Sequence, residues 1–153
     1  RQNFVGVQVY QEPVGTNSLG IGFDIHQGAG EMNDNHLSVH FNNVLLQEFD
    51  AGSVDLNSGD WIHAKIIARP GDGFSDVSVI LTPTNGTAHT VFTNYFVMDF
   101  VPDETRPHWG ARTGPTETST TDLDNINVQF IDPAPVVFEF GFTNFATVEE
   151  VPA

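Results

Sequence analysis

Residues 17–41 read NSLGIGFDIHQGAGEMNDNHLSVHF, and their spacing decides the fold. Leu19, Ile21 and Phe23 alternate with Gly20 and Gly22, and Leu37, Val39 and Phe41 alternate with Ser38 and His40. A period of two marks a strand with one buried face. The Gly-, Asn- and Asp-rich stretch between the two runs reads as the loop that joins them. Antiparallel pairing would hold the strand ends at Asp24 and His36 close together.

The same period recurs outward from this stretch. Val5, Val7 and Val9 alternate with Gly6 and Gln8. Ile62, Ala64, Ile66 and Ala68 alternate with His63, Lys65 and Ile67. Further runs fall at Val77, Val79 and Leu81, at residues 91–96, at Ile126, Val128 and Phe130, and at Phe138, Phe140 and Phe142. Turn residues cluster between them, at 13–17, 28–30, 57–60, 70–73, 83–86 and 113–121. No segment carries a sustained stripe of period 3.6. The pattern predicts an all-β chain, an antiparallel two-sheet sandwich of the jelly-roll kind. Asp132-Pro133-Ala134-Pro135 interrupts the ladder. Residues 1–131 are therefore expected to form the sandwich, and residues 132–153 a proline-linked strand and tail.

Composition narrows the function. A chain of 153 residues suits one domain with a core of its own. The net charge is −15, and Lys65 is the single lysine. That balance argues against nucleic acid and anionic membrane surfaces, both of which need a basic footprint. It favours cations and neutral or basic partners. There is no cysteine, which excludes disulfides and thiolate metal sites. No apolar run is long enough to cross a bilayer as a helix, so no membrane insertion is expected. Seventeen aromatic residues (13 Phe, 2 Tyr, 2 Trp) supply ample apolar surface for folding.

The loop between the first two runs offers one candidate site. Hard cations take several oxygen ligands from carboxylates, amides and carbonyls. Asp24, Asn33 and Asp34 could supply them, and His36 could add a nitrogen for a transition metal. The plainer alternative is a hairpin loop in which Asp, Asn and Gly serve only the turn.

The runs NSLGIGFD and NDNHLSVHF, the later GDWIHAKI, and HWGARTGPTETSTTDLDNINVQF at residues 108–130 resemble the concanavalin A-like jelly roll. They are most similar to L-type (legume-type) lectin domains and their laminin-G-like relatives. The resemblance covers about residues 5–130, four segments in the family's order. It implies two stacked antiparallel sheets and a carbohydrate-binding or adhesive role, with a glycan or polysaccharide as partner, outside the cell or at its surface. Loops at the rim of such domains touch sugars, which implies Trp109, Arg112, Thr113 and Glu117 as carbohydrate-binding residues; the alternative places Trp109 in the core.

The chain departs from the family in three places. The family's metal strand carries a Glu two residues before the Asp, where this chain has Gly22. A single calcium ion, or none, is expected rather than a pair. The related glycoside hydrolases flank that Asp with glutamates, and here those positions are Gly22 and Gln27. Retaining hydrolysis needs two carboxyl groups across the bond, so the resemblance implies a non-enzymatic protein. No counterpart of the legume-type upstream sugar-binding Asp stands among residues 1–4.

Weaker patterns read as turns and surface. Asp55, Asn57, Gly59 and Asp60 resemble half an EF-hand loop, but the twelfth position is Ile66 and no helices flank it. Asp122 and Asp124 are expected to cap a turn, or to add a cation ligand. His40 and His63 are expected on the surface. The sequence holds no Gly-x-Ser-x-Gly elbow and no His-Glu-x-x-His. A second functional reading is a structural, self-assembling protein. The Phe138–Phe142 strand could refill the sheet of its own chain; in the self-assembling reading it instead pairs with a second copy and makes a homo-oligomer through the C-terminal strand.

Overall fold

A computed structural model describes residues 15–102, 107–110, 118–130 and 136–147. All of its regular elements are strands: β1 (Leu19–Asp24), β2 (His36–Phe41), β3 (Val44–Asp50), β4 (Ile62–Pro70), β5 (Phe74–Pro83), β6 (His89–Met98), β7 (Thr118–Phe130) and β8 (Val136–Thr147). They form two antiparallel sheets, one ordered β1-β2-β3 and one ordered β6-β5-β4-β8-β7. The chain is a two-sheet β-sandwich, as the period-two runs predict.

The alternation explains which side chains meet. Leu37 and Val39 of β2 are completely buried, as are Ala64 of β4 and Val77, Val79 and Leu81 of β5. They share one core cluster with Phe92, Val97, Phe140 and Phe142. Aromatic rings fix how the sheets lie over one another. Phe23 of β1 sits 5.0 Å from Phe142 and 5.9 Å from Phe140, both on β8. Phe49 of β3 stacks on Phe92 of β6 at 4.1 Å. The small sheet therefore lies with β1 over β8 and β3 over β6.

Two elements differ from the sequence reading. β3 follows β2 through Asn42 and Asn43, both at positive φ (52° and 68°). Positive φ at both central residues defines the hairpin turn whose twist suits the flanking strands. β7 begins at Thr118, inside the stretch read as turn, because its Thr-rich start is β-branched and at home in a ladder. β8 lies between β4 and β7, with Phe140 opposite Ala64 and Phe138 opposite Val128. The strand beyond the proline break thus stands in the interior of the chain's own larger sheet. The expected strand around Val5–Val9 lies outside the described residues.

Candidate functional site: a cleft under Trp61

Asp24 and His36 are register partners at the ends of β1 and β2, as pairing of the two runs requires. Both are buried. Around them the loop's polar groups bond to one another. Asp24 Oδ1 accepts from the His26 amide at 2.7 Å, and His36 Nδ1–H donates to the Asn33 carbonyl at 2.7 Å. Asn33 Oδ1 accepts from the Asn35 amide at 3.0 Å, while its Nδ2 donates to Asp50 Oδ2 at 2.6 Å. The Met32 amide donates to Glu48 Oε2, whose partner oxygen lies 3.7 Å from His36 Nε2. Glu31 takes the Gly28 amide. Asp34 is exposed. Asn35 clamps the next loop, donating to the Val54 carbonyl and accepting from the Leu56 amide, both at 2.9 Å. So the structure brings Asp24, Asn33 and His36 into one neighbourhood with Glu48 and Asp50, and leaves Asp34 at its rim. Among the described residues, no group of three or more His, Asp or Glu side chains is placed to hold a metal ion.

The rim residues fare differently. Trp109 is exposed rather than in the core. Arg112, Thr113 and Glu117 lie outside the described residues. His63 is exposed as expected, but His40 is buried, because it sits on the central strand of the small sheet opposite Gly20. The segment with Asp55 and Asp60 is a turn, in which Asp55 Oδ1 accepts from the Asn57 amide and Ser58 Oγ from the Asp60 amide.

A second neighbourhood forms on the outer face of the five-stranded sheet. Register aligns Thr82 of β5 with His63 of β4, His63 with Gly141 of β8, and Gly141 with Asp124 of β7. On a pleated sheet such a row points one way. Gly141 has no side chain, so the row dips between His63 and Asp124. Those residues stand two strand spacings apart, about 10 Å. Trp61, the residue before β4, leans over the dip. A β carbon on Gly141 would lie 3.5 Å from the indole Cε3 and 3.6 Å from the Asp124 carbonyl. The result is an open cleft of about 460 Å³ between Trp61, His63, Thr84, Asp124, Asn125 and Gly141.

Local backbone features position these groups. The Trp61 carbonyl accepts from both the amide (2.9 Å) and the hydroxyl (2.8 Å) of Thr84, which ties the Trp to the β5–β6 turn. On β7 the register slips between Asp124 and Asn127, and Asn125 has a φ of 53°. Asp124 Oδ1 caps this bulge by accepting the Asn125 amide at 2.7 Å. Bulges re-aim side chains and are common beside binding sites. Here the bulge sets Asn125 on the wall of the cleft. Trp61 is 40% exposed, so one face of its ring is open to a ligand in the cleft.

Chemically, the cleft combines one flat apolar face with a carboxylate, an amide, an imidazole and two hydroxyls. That mixture suits a ligand with apolar faces and polar edges. Sequence reasoning placed Asp124 in a turn and did not single out Trp61 or Gly141. The available signal was Trp61 and His63 falling on the outward phase of an alternating strand. Comparison with known proteins finds no match among family models, curated proteins or solved structures.

Proposed function

We propose that the chain is a non-catalytic carbohydrate-binding module whose ligand docks in the Trp61 cleft. One observation carries the reading: an exposed indole stands beside a glycine-floored dip rimmed by Asp124, Asn125 and His63. A pyranose has an apolar C–H face that stacks on an aromatic ring, and equatorial hydroxyls that reach carboxylate and amide edges. Strand glycines are found where a ligand approaches the backbone closely. Among the described residues that line the cleft, Asp124 is the one carboxylate. Glycoside hydrolysis by the usual routes needs two, which favours binding without cleavage. The net charge of −15 favours neutral or amino sugars over sulfated ones. A glycan outside the cell or on its surface is the partner this reading expects, and adhesion the role.

The test is a panel of immobilised neutral, amino and sulfated glycans, probed with the full chain and with Trp61→Ala. Binding to neutral or amino sugars that Trp61→Ala removes supports the reading. Binding that survives Trp61→Ala, or no binding to any glycan, contradicts it.

A further inference from the structure

The outer face of the five-stranded sheet is short of positive charge where the cleft opens. Its cations among the described residues are Lys65 and Arg69 on β4, and each already faces an acid. Lys65 Nζ lies 2.8 Å from Glu139, and Arg69 Nη1 lies 3.2 Å from Asp76. The described residues that line the cleft include no lysine or arginine. Two acids beside the cleft are left over. Asp122 and Asp124 are alternate residues of β7, so both stand on one face, about 7 Å apart. Register sets Asp122 opposite Thr143 and Asp124 opposite Gly141, both on β8. Because β4 begins with Ile62 opposite Phe142, Trp61 comes level with Thr143. The two acids thus form a rank that faces Trp61 and His63 across a floor of Thr143 and Gly141. Both acids are exposed, and neither has an ion-pair partner among the described residues. The floor does not satisfy them either. Thr143 is 3% exposed, and its Oγ1 makes no hydrogen bond. Among the described residues, the one donor offered to either carboxylate is the Asn125 amide, on Asp124 Oδ1.

Given a sugar in the Trp61 cleft, as proposed above, we infer that this sugar carries a free, protonated amine: the ligand is an oligomer of glucosamine type, not a neutral or N-acetylated one. An ammonium group brings three donors and a positive charge, which are what the rank of Asp122 and Asp124 lacks. The same group is attracted to the open face of an indole. A neutral sugar gains the stacking on Trp61 and leaves Asp122 to water. N-acetylation keeps the ring but removes the charge, so it forfeits both carboxylates as ionic partners. The net charge of −15 also draws a cationic chain toward the protein from a distance.

Calorimetric titration of the full chain with three soluble oligomers of equal length tests the inference: glucosamine, N-acetylglucosamine and glucose. The glucosamine oligomer is expected to bind about tenfold more tightly than the other two. This preference should shrink between about 0.01 M and about 1 M NaCl, as the screening length falls from about 30 Å to about 3 Å. Asp122→Asn, outside the cleft lining, should weaken the glucosamine oligomer alone, and Asp122→Asn with Asp124→Asn should abolish the preference. Asp72→Asn, an exposed acid in the turn at the far end of β4, should change nothing. Equal binding of all three oligomers, a preference that survives the double variant or high salt, or a lysine tetrapeptide that binds as tightly as the glucosamine oligomer would overturn the inference. If binding in those cases still needs Trp61, the carbohydrate reading stands without it. No binding of any oligomer, or binding unchanged in Trp61→Ala, overturns both.

Discussion

Gly141 lies directly beneath the indole of Trp61, close enough that a β carbon there would touch the ring at 3.5 Å. Such a distance is ordinary contact, so the glycine is not demanded by packing. Its effect is to keep the dip between His63 and Asp124 open. Gly141→Ala should fold normally and gain slightly in stability, since glycine weakens a strand interior. Gly141→Val should also fold, while filling the cleft and lowering sugar affinity by at least about tenfold, or about 1.4 kcal/mol. Calorimetric titration of the two variants checks both statements.

The β2–β3 turn rests on Asn43 at a φ of 68°. Asparagine tolerates this region and a β-branched residue does not. Asn43→Val is expected to cost about 1–2 kcal/mol in urea unfolding. Asn43→Gly should be neutral or stabilising, because Asn-Gly is the favoured pair for such turns. A harmless Asn43→Val would mean that the strands, not the turn, set the register.

The Phe49–Phe92 stack joins the two sheets at the β3–β6 side, with centroids 4.1 Å apart and planes 23° from parallel. A double-mutant cycle with Phe49→Leu and Phe92→Leu should return a coupling of about 0.5–1.5 kcal/mol. Additive single mutants would show that the rings are neighbours without energetic linkage.

In the 25–35 loop, backbone and side-chain amides already donate to one oxygen each of Asp24, Glu31, Glu48 and Asp50. Calcium is therefore expected to leave the melting midpoint unchanged, with or without chelator. A ligand of the folded state must raise that midpoint. A calcium-dependent rise that Asp24→Asn removes would make this loop a cation site.

The sandwich was legible where one face of a strand is buried. β1, β2 and β4 announce themselves because Leu19, Leu37 and Ile62 each start a strict alternation toward the core. β3 breaks the rule, since an exposed edge can hold Val44, Leu45 and Leu46 in succession without period. Its signal was instead Asn42-Asn43 between two apolar runs. The cleft was harder to see for a physical reason. Trp61 and His63 are neighbours in sequence, but Gly141 and Asp124 join them only through the pairing of β8 with β4 and β7. No local pattern encodes which strands lie side by side. The proline break before β8 left open whether that strand joins its own sheet or a second copy's. At the opposite sheet the sequence brought Asp24 and His36 together correctly, since a short loop and two clear strands leave little choice.

A sugar stacked on Trp61, as proposed, changes the surroundings of the indole itself. The most direct measurement is the indole N–H resonance of each tryptophan during titration with soluble neutral and amino oligosaccharides, assigned with Trp61→Phe and Trp109→Phe. The Trp61 signal is expected to shift and saturate while the Trp109 signal stays in place. A Trp61 signal that does not move with any oligosaccharide, or a saturating shift confined to Trp109, would contradict it.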